Sequence, residues 1–134
     1  MLSFDLNWLA VLVAIIVNMI IGAAWYGLLA EPWLEGIGKT REEIGESQSW
    51  KPYAVAVLNS ALMAFMLANV MSWAGRTGLV AGLVTGLLMW VGFTGFSFAA
   101  NHAFEGRSPR LWLINSGTYL LGLAVMGAII GAWP

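Results

Sequence analysis

Thr77–Phe104 reads TGLVAGLVTGLLMWVGFTGFSFAANHAF, 28 residues without an Asp, Glu, Lys or Arg. A bilayer core about 30 Å thick takes roughly 20 apolar residues of helix to cross. No water inside it satisfies backbone amides, so a stretch of this kind must be helical. Working outward, Leu6–Ala30, Pro52–Gly75 and Leu111–Pro134 are equally free of charge, and all 13 charged side chains fall in the short segments beside them. The expectation is an all-α integral membrane bundle of four transmembrane helices forming one domain over residues 1–134. The spans are placed at about 6–29, 52–73, 77–102 and 109–132, with short loops and one longer loop at 30–51.

Composition narrows the function classes. The chain is 60% apolar and 10% charged, where a soluble globule carries about a quarter of its residues charged. A net charge of −1 offers no basic surface for nucleic acid. The absence of cysteine excludes disulfides, thiolate metal sites and thiol catalysis. No Lys or Arg precedes Lys39, and the first apolar run is too long for a signal-peptide core, so it is expected to stay as the first helix.

Orientation follows from the positive-inside rule. Lys39, Arg41, Lys51, Arg107 and Arg110 fall on one side, and Arg76 alone falls on the side shared by both termini. This predicts both loops in the cytoplasm and both termini outside. Trp8, Trp73 and Trp133 at one set of helix ends, and Trp25, Trp33, Trp50 and Trp112 at the other, suit the headgroup level. Trp90 lies mid-span.

Helix starts are marked by Ser108–Pro109, by Pro52 and by Thr77. Thr40-Arg41-Glu42-Glu43 is a capping-box pattern opening a short helix in the first connection, where Trp33, Leu34, Ile37 and Ile44 face the membrane surface. Rows of small residues recur at i, i+4: Gly78, Gly82 and Gly86 in span three, and Ala124, Ala128 and Ala132 in span four. In lipid, such rows let helices approach closely and serve packing within the bundle or docking of another helix. The span-four row is expected to be the partner face.

Polar residues concentrate in the cytoplasmic half: Asn59, Ser60, Ser97, Asn101, His102, Asn115, Ser116 and Tyr119. Polar groups within spans normally face the interior and bond one another. The set reads as interhelical hydrogen bonds fixing register, or as the lining of a cavity for a lipid headgroup, quinone or transported solute. His102, the sole histidine, is the one weak candidate for a metal, as axial ligand to a haem or (bacterio)chlorophyll-type pigment. No cofactor is expected otherwise, and bound lipid is. The loop glutamates 31, 35, 42, 43 and 46 are interleaved with basic residues and read as a solvated, internally paired segment. No intramembrane carboxylate, nucleophile–base pair or phosphate-binding loop is present, so no catalytic residue is assigned and an enzyme is not expected.

Gly22-Ala23-Ala24-Trp25-Tyr26, Trp33, Gly38-Lys39-Thr40, Phe104-Glu105-Gly106-Arg107 and Met126-Gly127-Ala128-Ile129-Ile130-Gly131 together resemble the bacterial family of domain of unknown function 1761. The resemblance covers essentially the whole chain. It implies four spans in a bacterial cytoplasmic membrane and supplies no activity. The functional expectation is therefore a non-enzymatic membrane protein acting by helix–helix association, as accessory subunit or homo-oligomer. The alternatives are a small transporter or channel using the polar cluster, and pigment binding through His102.

Overall fold

Side chains cap the two outermost spans. Asn7 Oδ1 accepts the Ala10 N–H at 3.1 Å to open α1 (Trp8–Leu28), and Ser108 Oγ accepts the Leu111 N–H at 3.1 Å to open α7 (Pro109–Ala132). Between them a computed structural model, which describes residues 1–134, places α2 (Ala30–Ile37), α3 (Arg41–Glu46), α4 (Lys51–Trp73) and α5 (Leu79–Met89). A π-helical turn (Trp90–Thr94) and α6 (Gly95–Phe104) continue α5 as one span. Four helices, with α5 to α6 counted as one, are long and apolar enough to cross a membrane. The protein is thus an all-helical, multi-pass membrane protein.

Helix α7 is the hub. It packs on α1, α4, α5 and α6, and also receives α2, whereas α4 and α5 barely touch although a short turn joins them. The closest seam is α5 against α7. A Cβ on Gly82 would overlap the Gly127 carbonyl, one on Gly86 the Leu123 carbonyl, and one on Gly131 the Gly78 carbonyl. The two backbones therefore touch without side chains between them, the geometry small-residue rows allow in lipid. Thr77 does not cap this span. Gly78 precedes it at φ +108°, a conformation that favours glycine, and donates its N–H to Gly131 O at 2.8 Å.

The small rows are therefore largely spent inside the bundle. Gly78, Gly82 and Gly86 face α7. In the expected partner row Ala124 is buried, Ala128 half-buried and Ala132 exposed, and α7 is the most enclosed span, so the row is not a free docking face.

Both termini and the α4–α5 turn lie at one end. Asn69, fully buried, accepts the Ser3 N–H at 2.6 Å; Trp73 donates its indole N–H to Met1 O at 3.0 Å, and Asn7 its amide to Trp133 O at 3.1 Å. At the other end, the loop end, the first connection is more ordered than its sequence suggests. Thr40 caps α3 by accepting the Glu43 N–H at 3.2 Å. Ahead of it α2 folds back onto the bundle, with Leu34 buried and Gly36 against Leu111. Glu31 pairs with Arg41 at 2.6 Å and Glu35 faces Arg110 at 3.7 Å.

Candidate functional site

The loop-end half holds a hydrogen-bonded chain drawn from three spans, with a second polar pair beside it that brings in the fourth. His102 of α6 is 6% exposed. Its Nδ1 lies 2.8 Å from the Phe98 carbonyl, which can only accept, so Nδ1 carries the proton. The Nε2 lone pair then accepts the Asn115 amide at 3.2 Å, and Asn115 Oδ1 accepts the Tyr26 hydroxyl at 3.2 Å. Beside this chain Asn59 of α4 donates to Tyr119 Oη at 3.4 Å, and the Tyr119 ring stacks on Phe98 at 5.5 Å. Near the middle of α1, Asn18 donates to Ser60 Oγ at 2.7 Å. Every buried side-chain nitrogen and oxygen has a partner. Interhelical bonds of this kind contribute about 0.6–2 kcal/mol each, and as a set they fix how the four spans are rotated against one another.

The residues expected from the sequence divide. Asn59, Ser60, His102, Asn115 and Tyr119 lie in the bundle as described. Ser116 is buried but returns its hydroxyl to Trp112 O of its own helix at 2.6 Å. Ser97 and Asn101 are exposed on the outer face of α6, Ser97 bonding only Phe93 O. Asn101 therefore stands apart from Asn59 and Asn115, which the polar grouping places with it.

The π-turn explains this correction. On an uninterrupted α-helix the face carrying Trp90 returns at Thr94, Ser97 and Asn101, since each residue advances about 100°. A π-turn inserts one residue, so the inner face becomes Gly95, Phe98 and His102. Gly95 leaves room for the Trp90 ring, which folds over it and donates its indole N–H to Ser116 O at 2.8 Å. Trp112 donates to Gly95 O at 2.8 Å, and Trp90, Phe96 and Trp112 form a three-ring cluster with centroids 5.9–6.2 Å apart.

Sequence reasoning missed Tyr26 and assigned Trp25 and Trp112 only to the membrane interface. Trp25 donates its indole N–H to Ile114 O at 2.8 Å, across Gly117, whose missing side chain admits the ring. The signal was available in the adjacency of Trp25 and Tyr26, two amphipathic side chains whose N–H and O–H seek partners once buried.

Two grooves mark the outside of the bundle, one of 600 Å³ along α7 and one of 490 Å³ between α1 and α4; both are mainly apolar and neither is lined by the polar chain. No cluster of three or more His, Asp or Glu side chains is arranged to hold a metal ion.

Four apolar spans around a fully satisfied polar core define a polytopic integral membrane protein. Within that class, a family model described as protein of unknown function (DUF1761) matches residues 9–131, and the chain belongs to that family. No curated protein and no solved structure is matched.

Proposed function

We propose that the protein acts without catalysis, by helix–helix association in a bacterial cytoplasmic membrane, as a homo-oligomer or an accessory subunit of a larger complex. An α-helical bundle suits that membrane, where outer-membrane spanning proteins are closed barrels. The observation that carries the reading is the outward face of α1. Only 17% of its apolar window is buried, against 44% for α7. In its loop-end half the exposed residues include Ala23, Ala24 and Gly27, and a side chain on Gly27 would meet nothing within 4 Å. Lipid-facing positions usually carry large side chains; a small-xxx-small spacing at Ala23 and Gly27 suits another helix. The partner face is thus assigned to α1 and not to the α7 row.

The cysteine-free chain makes the test direct. Under mild oxidation in native membranes, Ala23→Cys should give a disulfide-linked product, a dimer or a heavier heteromer, while Leu62→Cys on exposed α4 should give none. Absence of product from Ala23→Cys and from Gly27→Cys would overturn the homo-oligomer reading.

For orientation, the charge asymmetry supports the loop end in the cytoplasm. A phosphatase reporter should be active when fused after Pro134 and inactive when fused at Gly45; the reverse would invert the assignment.

The transporter alternative draws its support from the Tyr26–Asn115–His102 chain lying within one half of the bundle. Pigment ligation has no comparable support, because one His102 nitrogen bonds a carbonyl and the other receives an amide.

A further inference from the structure

We propose that the 600 Å³ groove along α7 holds one phospholipid with a primary-ammonium zwitterionic headgroup, of the phosphatidylethanolamine type. Trp25 of α1, Leu29 just beyond its end, Leu87 of α5, and Gly117 and Leu121 of α7 line it, and Arg110 closes its loop end. From Arg110 to Ala124, both lining residues, α7 rises about 21 Å at 1.5 Å per residue. One leaflet of hydrocarbon is about 15 Å deep. The groove therefore runs from headgroup level through the whole leaflet, the reach an acyl chain needs. Its walls are set: the Trp25 ring is held by its bond to Ile114 O and by the gap at Gly117.

The mouth supplies the headgroup chemistry. Pro32 lines the groove, and Glu35 stands one turn further along α2, on the same face. Glu35 Oε2 lies 3.7 Å from Arg110 Nη1, beyond hydrogen-bond range, and both side chains are mostly exposed, 77% and 69%. A lipid phosphate takes the planar guanidinium of Arg110, and an ammonium three bonds of linker away donates to Glu35. A choline headgroup has no N–H to donate, and a glycerol headgroup brings no cation for the carboxylate. The paired charges thus complement one headgroup and discriminate against the other two.

The full-length protein in mild detergent, given equal amounts of palmitoyl-oleoyl phosphatidylethanolamine, phosphatidylcholine and phosphatidylglycerol, is read by native mass spectrometry. Wild type should retain phosphatidylethanolamine roughly threefold over each of the others, the scale of an exposed charge contact. Glu35→Gln should bring the ethanolamine-to-choline ratio to about one, and Arg110→Gln should lower retention of all three lipids. An unchanged unfolding midpoint in lipid-free detergent confirms that both variants fold. A phosphatidylethanolamine carrying a diazirine on its acyl chain should label the 111–124 segment of α7. Equal retention of the three lipids by wild type, a preference for phosphatidylglycerol, a ratio unmoved by Glu35→Gln, or label spread evenly over the bundle would each overturn the proposal.

Discussion

Gly82→Ala will destabilise the bundle by about 3 kcal/mol or more, although alanine is the better helix former. Its Cβ would sit inside the Gly127 carbonyl, and the backbone of α7 cannot step aside without losing Gly86 and Gly131 from the same seam. Overpacking of this kind costs typically 1–3 kcal/mol, and more where the obstacle is backbone. Gly22→Ala is the matched control. Nothing lies within 4 Å of a Cβ there, so the propensity gain of about 1 kcal/mol over glycine is free to appear. Unfolding against SDS mole fraction separates the two variants by sign. Equal effects would mean that α5 and α7 are not in backbone contact.

Deleting Gly92 should leave the second half of the third span facing as it does, whereas deleting Ala99, beyond the π-turn, should rotate its end. Without Gly92, residues Gly95, Phe98 and His102 stand four, seven and eleven positions after Trp90, the spacing of one α-helical face; without Ala99, His102 moves back one position and turns outward by about 100°. The Asn115 amide then loses its acceptor, at a cost of about 1–3 kcal/mol. Single cysteines report the rotation directly, because the protein has none of its own. In the wild-type and Gly92-deleted backgrounds a cysteine at 101 should be alkylated and one at 102 protected; in the Ala99-deleted background both should be alkylated. Alkylation at 102 on deletion of Gly92 would remove the π-turn as the cause of the register.

These two sites also show where the sequence was legible. Charge placement located four spans, because a charged group in hydrocarbon costs too much to be scattered; Ser108 was readable as a cap because its partner is three residues away. The inner face of α6 was not readable. Its identity depends on one extra residue per turn at Trp90–Thr94, and that turn is held by Trp90 and Trp112 bonding across to another helix. Ser97 and Asn101 were therefore grouped with His102, one residue out of phase. Helix α2 was missed for a similar reason. Gly36 fits only against Leu111, more than seventy residues further on, and Leu34 is buried only once α2 lies on the bundle. Tyr26 needed the same kind of distant partner in Asn115.

Because α7 is the hub, the order of synthesis constrains assembly. The spans leave the ribosome as α1, α4, the α5–α6 span and then α7, so the last to arrive is the one against which the others pack. Until then α1 and α4 have a seam to form, whereas α5 and α6 have only slight contact with α4. The glycine face of α5 waits in lipid for its complement, and the His102 nitrogen for its amide donor. Arrival of α7, and not insertion of any single hairpin, is the event that closes the bundle.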